Sequence, residues 1–367
     1  MRRPVFLSSF RLALGAAAAV LATPVAAATL FLGSYPDSLL VFDERRGAVT
    51  GKVKLESGLP TSMQLSPDGK LIYVTTITTS GIEVIDTATR QVVKSVSLNR
   101  GNTKYRFSGG VPDPTGRYFY TMLTRIDKGL DRYTVGDLQY AVIDLEEQRV
   151  VRTADVEEKD ERLGGGRGAF KMSSDGKYLY VFGRKILVVD TEELKVVDRI
   201  DLAKPEGTAL ENAGLGGTLD TIEVAGEHAA LFNASDPYIH NKVFGIARFD
   251  LDTRRFDFTP IGPAPEAMAG LQVTPDGKTA YTVATTGKYG NKRCEFWRFD
   301  LADNRVLDKA EFECRSRFRF GLSGDGRKLY IYGASYDIEV YDARTLKYER
   351  TWDLAHDTTG AGMVMVR

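Results

Sequence analysis

The sequence predicts an all-β fold: a seven-bladed β-propeller of four-stranded antiparallel blades, closed by its C-terminal strand pairing with its N-terminal strand. Three observations predict it. A tight Asp-Gly turn between apolar runs recurs along the chain, a second charged turn follows each one, and the two ends carry complementary parts of one further repeat.

The first turn is clearest in Ser66-Pro67-Asp68-Gly69-Lys70, followed by Leu71-Ile72-Tyr73-Val74-Thr75-Thr76. It returns as Asp113-Pro114-Thr115-Gly116-Arg117, Ser173-Ser174-Asp175-Gly176-Lys177, Thr274-Pro275-Asp276-Gly277-Lys278 and Ser323-Gly324-Asp325-Gly326-Arg327, each before an aromatic or β-branched run. Asp and Gly suit a two-strand turn because Gly takes positive φ without steric cost. The second turn joins runs such as Ile82-Glu83-Val84-Ile85-Asp86 to Val92-Val93, and Ile186 to Asp190 to Val196-Val197. Alternating faces and a short charged connection make these hairpins. Each repeat is therefore four strands, A to D. The turn positions 68, 115, 175, 276 and 325 leave one gap of 101 residues, which holds a degenerate unit starting near Leu219 and running through Ala229, Leu231 and Phe232 to Phe249 and Phe256.

The ends supply the seventh blade. Residues 29–33, 39–43 and 49–55 read as strands B, C and D with no strand A before them. Residues 362–366 read as a strand A with nothing after it. Pairing the two closes the ring and removes the free sheet edges.

Ahead of this, residues 1–28 have the form of a secretory signal: Arg2, Arg3 and Arg11, an alanine-rich apolar run over 12–23, and Ala26-Ala27-Ala28 as a cleavage site. The expected mature chain is a single propeller domain over 29–367, exported to the periplasm, with no membrane span after cleavage. The 49 basic and 49 acidic residues give zero formal charge, and losing the three signal arginines leaves about −3. That balance argues against a nucleic-acid partner. Two Cys and three His leave little for a zinc or Cys-ligated iron–sulfur site, and no C-x-x-C-H is present for covalent haem.

In a propeller, A–B and C–D turns share one face and B–C and D–A connections share the other. The A–B and C–D turns are short throughout, whereas B–C insertions fall at 124–138, 235–242 and 285–292, and long D–A links at 157–168 and 203–217. Loops on a rigid scaffold carry function, so the elaborated face is the expected partner- or ligand-binding face. Its candidate residues are Arg125, Asp131, Arg132, Tyr133, Asp236, Tyr238, His240 and Tyr289. His240 is the one proton carrier among them; a surface polar role is the plainer reading. His228 is expected in an exposed turn, and His356 in the last D–A link. No catalytic residue and no metal site is assigned, and no cofactor is expected on this chain.

Cys294 and Cys314 flank a hairpin turn centred near Asn304, so they are expected opposite one another across strands C and D, as a structural disulfide in an oxidising compartment. Arg315, Arg317 and Arg319 alternate, which reads as one face of an innermost strand, either paired with channel acids or binding an anion. Gly164-Gly165-Gly166-Arg167-Gly168 lacks the strand-before, helix-after context of a phosphate loop.

The segment Asp68-Gly69-Lys70-Leu71-Ile72-Tyr73-Val74-Thr75-Thr76 resembles the YVTN-type propeller repeat, with Thr in place of the final Asn. The last unit, Gly326 to Gly333 with Asp337-Ile338-Glu339-Val340-Tyr341-Asp342, Thr345-Leu346-Lys347 and residues 363–367, resembles the β subunit of quinohemoprotein amine dehydrogenase, and more distantly the methylamine dehydrogenase heavy chain. The resemblance implies a non-catalytic propeller that closes the active site of a partner. A peptide-derived quinone would sit on a small partner subunit and haem on another. No short catalytic motif carries over. Two other readings stand beside it: a stand-alone binding or assembly propeller, and a propeller lactonase or lyase.

Overall fold

The Asp-Gly sequences fold as turns held by one repeated set of bonds. In the first, the Ser66 hydroxyl donates to Asp68 at 2.7 Å, the Lys70 amide donates to the same carboxylate at 3.1 Å, and the Leu71 amide donates to the Ser66 hydroxyl at 2.9 Å. Ser66 foremost, then Lys70, holds the Asp68 carboxyl down at about 2. Gly69 sits at φ 71° and its four counterparts at 72°, 74°, 68° and 72°, the left-handed region that a side chain would strain. Asp113-Pro114-Thr115-Gly116 makes the same pattern with acid and hydroxyl exchanged: the Tyr118 amide donates to Asp113 at 2.8 Å and the Thr115 hydroxyl donates to it at 2.6 Å.

Seven C–D turns open on an aspartate: Asp43, Asp86, Asp144, Asp190, Asp250, Asp300 and Asp342. Each carboxylate accepts one or two backbone N–H groups two or three residues on, as Ala88 at 3.0 Å and Thr89 at 2.7 Å do for Asp86. The fourth residue on, from Gly47 through Arg90 to Leu346, then takes positive φ. The short Asp side chain reaching its own backbone is what makes this turn.

The computed structural model describes residues 28–107, 109–161, 169–183, 185–203, 210–216, 226–238, 241–315, 317–333 and 335–367. Its strands form seven antiparallel sheets. Blade one has Thr29–Ser34, Ser38–Asp43 and Ala48–Lys54, and takes its innermost strand from Thr358–Val366. Blade two is Pro60–Leu65, Leu71–Thr76, Gly81–Asp86 and Gln91–Ser97. Blade three has a divided innermost strand, Thr103–Phe107 and Val111–Pro112, then Tyr118–Lys128, Tyr133–Asp144 and Arg149–Asp155. Blade four is Ala169–Met172, Tyr178–Phe182, Ile186–Asp190 and Lys195–Ile200. Blade five is Glu211–Gly216, Glu227–Ser235, Lys242–Asp250 and Arg255–Pro263. Blade six pairs Ala267–Met268 and Gln272–Val273 with Thr279–Thr286, followed by Arg293–Asp300 and Arg305–Phe312. Blade seven is Arg319–Leu322, Lys328–Tyr332, Asp337–Asp342 and Tyr348–Asp353. The degenerate unit therefore begins at Glu211, ahead of the expected Leu219, which lies outside the described residues.

The ring closes as the ends predict. Thr29 pairs with Val366, Leu30 with Met365, Phe31 with Val364 and Leu32 with Met363. Because strand side chains alternate, Met363 and Met365 pack against blade seven at Tyr330 and Ile338, while Val364 packs against blade two at Ile72 and Ile85. Seven such apolar clusters fill the seven contacts between neighbouring blades. Second and third strands such as Leu71–Thr76 and Ile186–Asp190 are consequently buried on both faces and read as unbroken apolar runs.

Glu44 ties the same seam. It accepts from the Ala28 amide at 2.9 Å, the Tyr330 hydroxyl at 2.9 Å and the Gly324 amide at 3.2 Å. Burial pushes its carboxyl above the usual range against the pull of these donors.

Three local expectations change. His228 is not in an exposed turn: it lies inside Glu227–Ser235, buried, with its ring 4.2 Å from that of Phe182. Arg315 and Arg317 precede the innermost strand Arg319–Leu322, and only Arg319 belongs to it. Cys294 and Cys314 do form the disulfide, with Cα atoms 5.2 Å apart. They are not opposite residues, however, because the hairpin turns earlier than Asn304, with Asp300 facing Arg305, so that even after the one-residue bulge at Arg298/Phe299 it is Phe312 that lies across from Cys294. The bond joins a strand to the link that follows the sheet.

Candidate functional site

The connections between second and third strands, with the links between blades, form one face. Its links are pinned by buried or half-buried charge. The buried Glu83 carboxylate accepts the amides of Glu56 at 3.1 Å and Ser57 at 2.6 Å, along with the Ser57 hydroxyl. Arg199 grips buried Asp160 through two bonds of 2.7 Å. Arg315 reaches Asp337 at 2.7 Å and Glu339 at 3.3 Å, which settles it as a structural partner of acids. Two-point Arg–carboxylate contacts fix direction as well as distance, so the face is a stiff platform.

The expected loop at 124–138 is instead a hairpin. Tyr118–Lys128 and Tyr133–Asp144 run past the rest of the blade and turn at 129–132. Thr103–Phe107 pairs with one side of this extension. The alternation of Ile126, Tyr133 and Val135 with polar neighbours is the signal that could have revealed it.

The candidate residues fall on this platform as follows. Arg125 is held by Asp127 at 2.9 Å, and Arg132 by Asp131 at 2.8 Å. Thr103 foremost, then Arg125, holds the Asp127 carboxyl below its ordinary range. Asp236 accepts the Tyr238 amide at 2.8 Å. Tyr289 lies in a single 3₁₀ turn, Tyr289–Asn291. His240 and the glycine run 164–168 lie outside the described residues. The bonds of the blade-three pairs and of the blade-five turn are each local to their own blade.

What unites them is apolar exposure, which the candidate residues only partly captured. Tyr35 of blade one is 63% exposed, Tyr133 of blade three 63%, Tyr238 of blade five 85% and Tyr336 of blade seven 59%. Ile77 of blade two and Leu130 and Val135 of blade three stand out with them. The turns of the opposite face present Lys70, Arg90, Lys177 and Lys278, with Tyr348 exposed just after the last of its C–D turns, and Val93, Val197 and Leu307 are exposed singly on outer strands. Single exposed apolar residues are ordinary, but a concentration of them on one face, with a tyrosine from each of four blades, marks a contact surface.

Cavities lie between blades. One, of about 410 Å³, lies at the seam of blades seven and one beside Glu44, Lys328, Tyr330 and Trp352. Another, of about 90 Å³, lies between blades five and six beside Phe232, Asn233 and Met268. Among the described residues no group of three or more His, Cys, Asp or Glu could hold a metal, and no helix is long and apolar enough to cross a membrane.

The fold places the chain among solved structures. A functionally unknown protein from Desulfotomaculum acetoxidans DSM 771 superposes with a TM-score of 0.54 at 12% identity, over 93% of this chain and 99% of that one. Dihydro-heme d1 dehydrogenase NirN, in complex with DHE, superposes with a TM-score of 0.50 at 15% identity, over 94% and 76%. The Dos1 propeller is similar at 13% identity and a TM-score of 0.48, over 89% and 74%. The chain is a seven-bladed β-propeller. At these identities the likeness is one of fold alone. No family model and no curated protein matches the sequence.

Proposed function

We propose that this propeller is an exported, periplasmic docking subunit whose B–C face covers a partner protein, as a propeller subunit of a quinone-cofactor amine dehydrogenase would. One observation carries the reading: Tyr35, Ile77, Leu130, Tyr133, Tyr238 and Tyr336, from five of the seven blades, are exposed together on one face. Aromatic side chains bury large area at modest entropy cost, which is why they dominate interfaces. The pinned links beneath them lower the cost of ordering on binding.

The sequence resemblance in the last blade supplies the identity of the partner: a small subunit bearing a peptide-derived quinone, beside a haem-bearing one. In that arrangement the propeller carries no redox group. It excludes water from the partner's cavity and fixes its walls, and chemistry belongs to the partner.

Purification of the tagged chain from its native periplasm tests this. The expected result is a co-eluting small chain that stains for quinone. A chain that elutes alone, with full activity on a lactone or with stoichiometric calcium or zinc, would replace the docking reading with a catalytic one.

A further inference from the structure

The hairpin of blade three leaves a strand edge open. Its last rung with the outer strand is Gln139 with Asp155, and the Leu138 carbonyl accepts the Val156 amide at 3.1 Å. Beyond this point the strand continues through Tyr133-Thr134-Val135-Gly136-Asp137, all exposed. Its inner side pairs with Tyr118–Lys128, as Lys128 with Tyr133 and Ile126 with Val135. Its outer side meets no strand among the described residues.

Unpaired edges invite another strand, and proteins blunt them with Lys, Pro or inward charge. The outer strands of all seven blades follow that rule: each carries Lys or Arg, from Lys52 and Lys54 in blade one through Lys94, Arg149, Lys195, Arg255 and Arg305 to Arg350 in blade seven. The stretch Tyr133–Asp137 has no Lys, Arg or Pro. Tyr133 and Val135 alternate on one side of it, and the Asp137 carboxylate has no ion-pair partner among the described residues.

We infer that this edge takes up an extended segment of a partner protein by strand addition, in the line that Arg149–Asp155 leaves empty. The segment has apolar side chains at alternate positions, against Tyr133 and Val135, and a basic residue opposite Asp137. Backbone hydrogen bonds supply affinity and the alternate side chains supply selectivity. The inference rests on the docking reading of this face and names how one part of it engages.

The probe is a hexapeptide of alternating valine and threonine flanked by lysines, added to the full chain, with amide hydrogen exchange followed over residues 133–138. Exchange there should slow roughly tenfold, the effect of a few added backbone bonds. The same peptide N-methylated at alternate residues should give no protection, and Val135→Lys should abolish it without altering the melting curve. Equal protection by the N-methylated peptide, or no protection by either, overturns strand addition. So does a free chain that sediments as a dimer and becomes a monomer in Val135→Lys, since that would mean self-pairing. The docking reading is read separately: if Tyr238→Ala and Tyr336→Ala release the native partner and Val135→Lys does not, docking stands and strand addition falls.

Discussion

The Tyr330 hydroxyl donates to the Glu44 carboxylate at 2.9 Å, joining the last blade to the first across 286 positions of sequence. Glu44 also receives the Ala28 and Gly324 amides. This is the place where the ring is closed by two distant pieces of chain. Deleting residues 361–367 removes Met363, Val364 and Met365, all buried. Three such side chains are worth about 4–9 kcal/mol of burial, comparable with the whole stability of a domain. The truncated chain should be insoluble or melt far below the parent in calorimetry. Equal melting temperatures would refute closure.

The Cys294–Cys314 bond closes a separation of 20 residues, for which the chain-entropy account gives about 3 kcal/mol. Replacing both cysteines by alanine should lower the urea midpoint accordingly, with the slope unchanged. Peptide mapping of unreduced protein should show the linked pair. Free thiols in protein purified without reductant would count against it.

His228 sets an acid sensitivity with a definite sign. Burial pushes its imidazole down to about 3, helped by the nearby Lys171 charge. The unfolded chain binds a proton near pH 6.5 and the folded chain does not. The stability this group contributes is therefore full above about pH 6.5 and lost as pH falls toward 3. Between pH 6.5 and 5 the loss should be about 2 kcal/mol. Urea titrations of the parent and of His228→Phe at both pH values check this. The variant's stability should change less, and parallel pH profiles would show that His228 is not the group responsible.

Much of the ring was legible because its turns are built from short-range chemistry. Asp68 with Gly69, and Asp86 with Arg90 four residues on, are made by side chains reaching their own backbone, and such bonds leave a mark in sequence. The closing strand was legible because 362–366 and 29–33 were each half of a unit. The misreadings have a common cause, which is pairing that local sequence does not encode. The hairpin of blade six turns between Asp300 and Arg305, earlier than the expected centre at Asn304, which leaves Cys314 beyond the position opposite Cys294. His228 looked like a turn residue because the turn before it is degenerate, and its burial comes from Phe182 on another blade. The segment 124–138 looked like a loop because charged residues such as Arg125 and Asp127 interrupt it, yet those two neutralise each other on one hairpin strand. The aromatic ring needed the fold, since Tyr35, Tyr238 and Tyr336 are far apart in sequence and share a face only through the blade order.

The most direct test of the docking account compares the two faces. One tagged variant carries Tyr133→Ala, Tyr238→Ala and Tyr336→Ala; a second carries alanine at Lys70, Arg90, Lys177 and Lys278. Both should fold, because the substituted side chains lie on turns, connections and an exposed hairpin. Captured partner is quantified from native periplasm. The account predicts that the aromatic variant loses the partner, by roughly 1–3 kcal/mol at its best single position, while the charged-face variant retains it. Retention by the aromatic variant and loss by the charged-face variant would contradict the account.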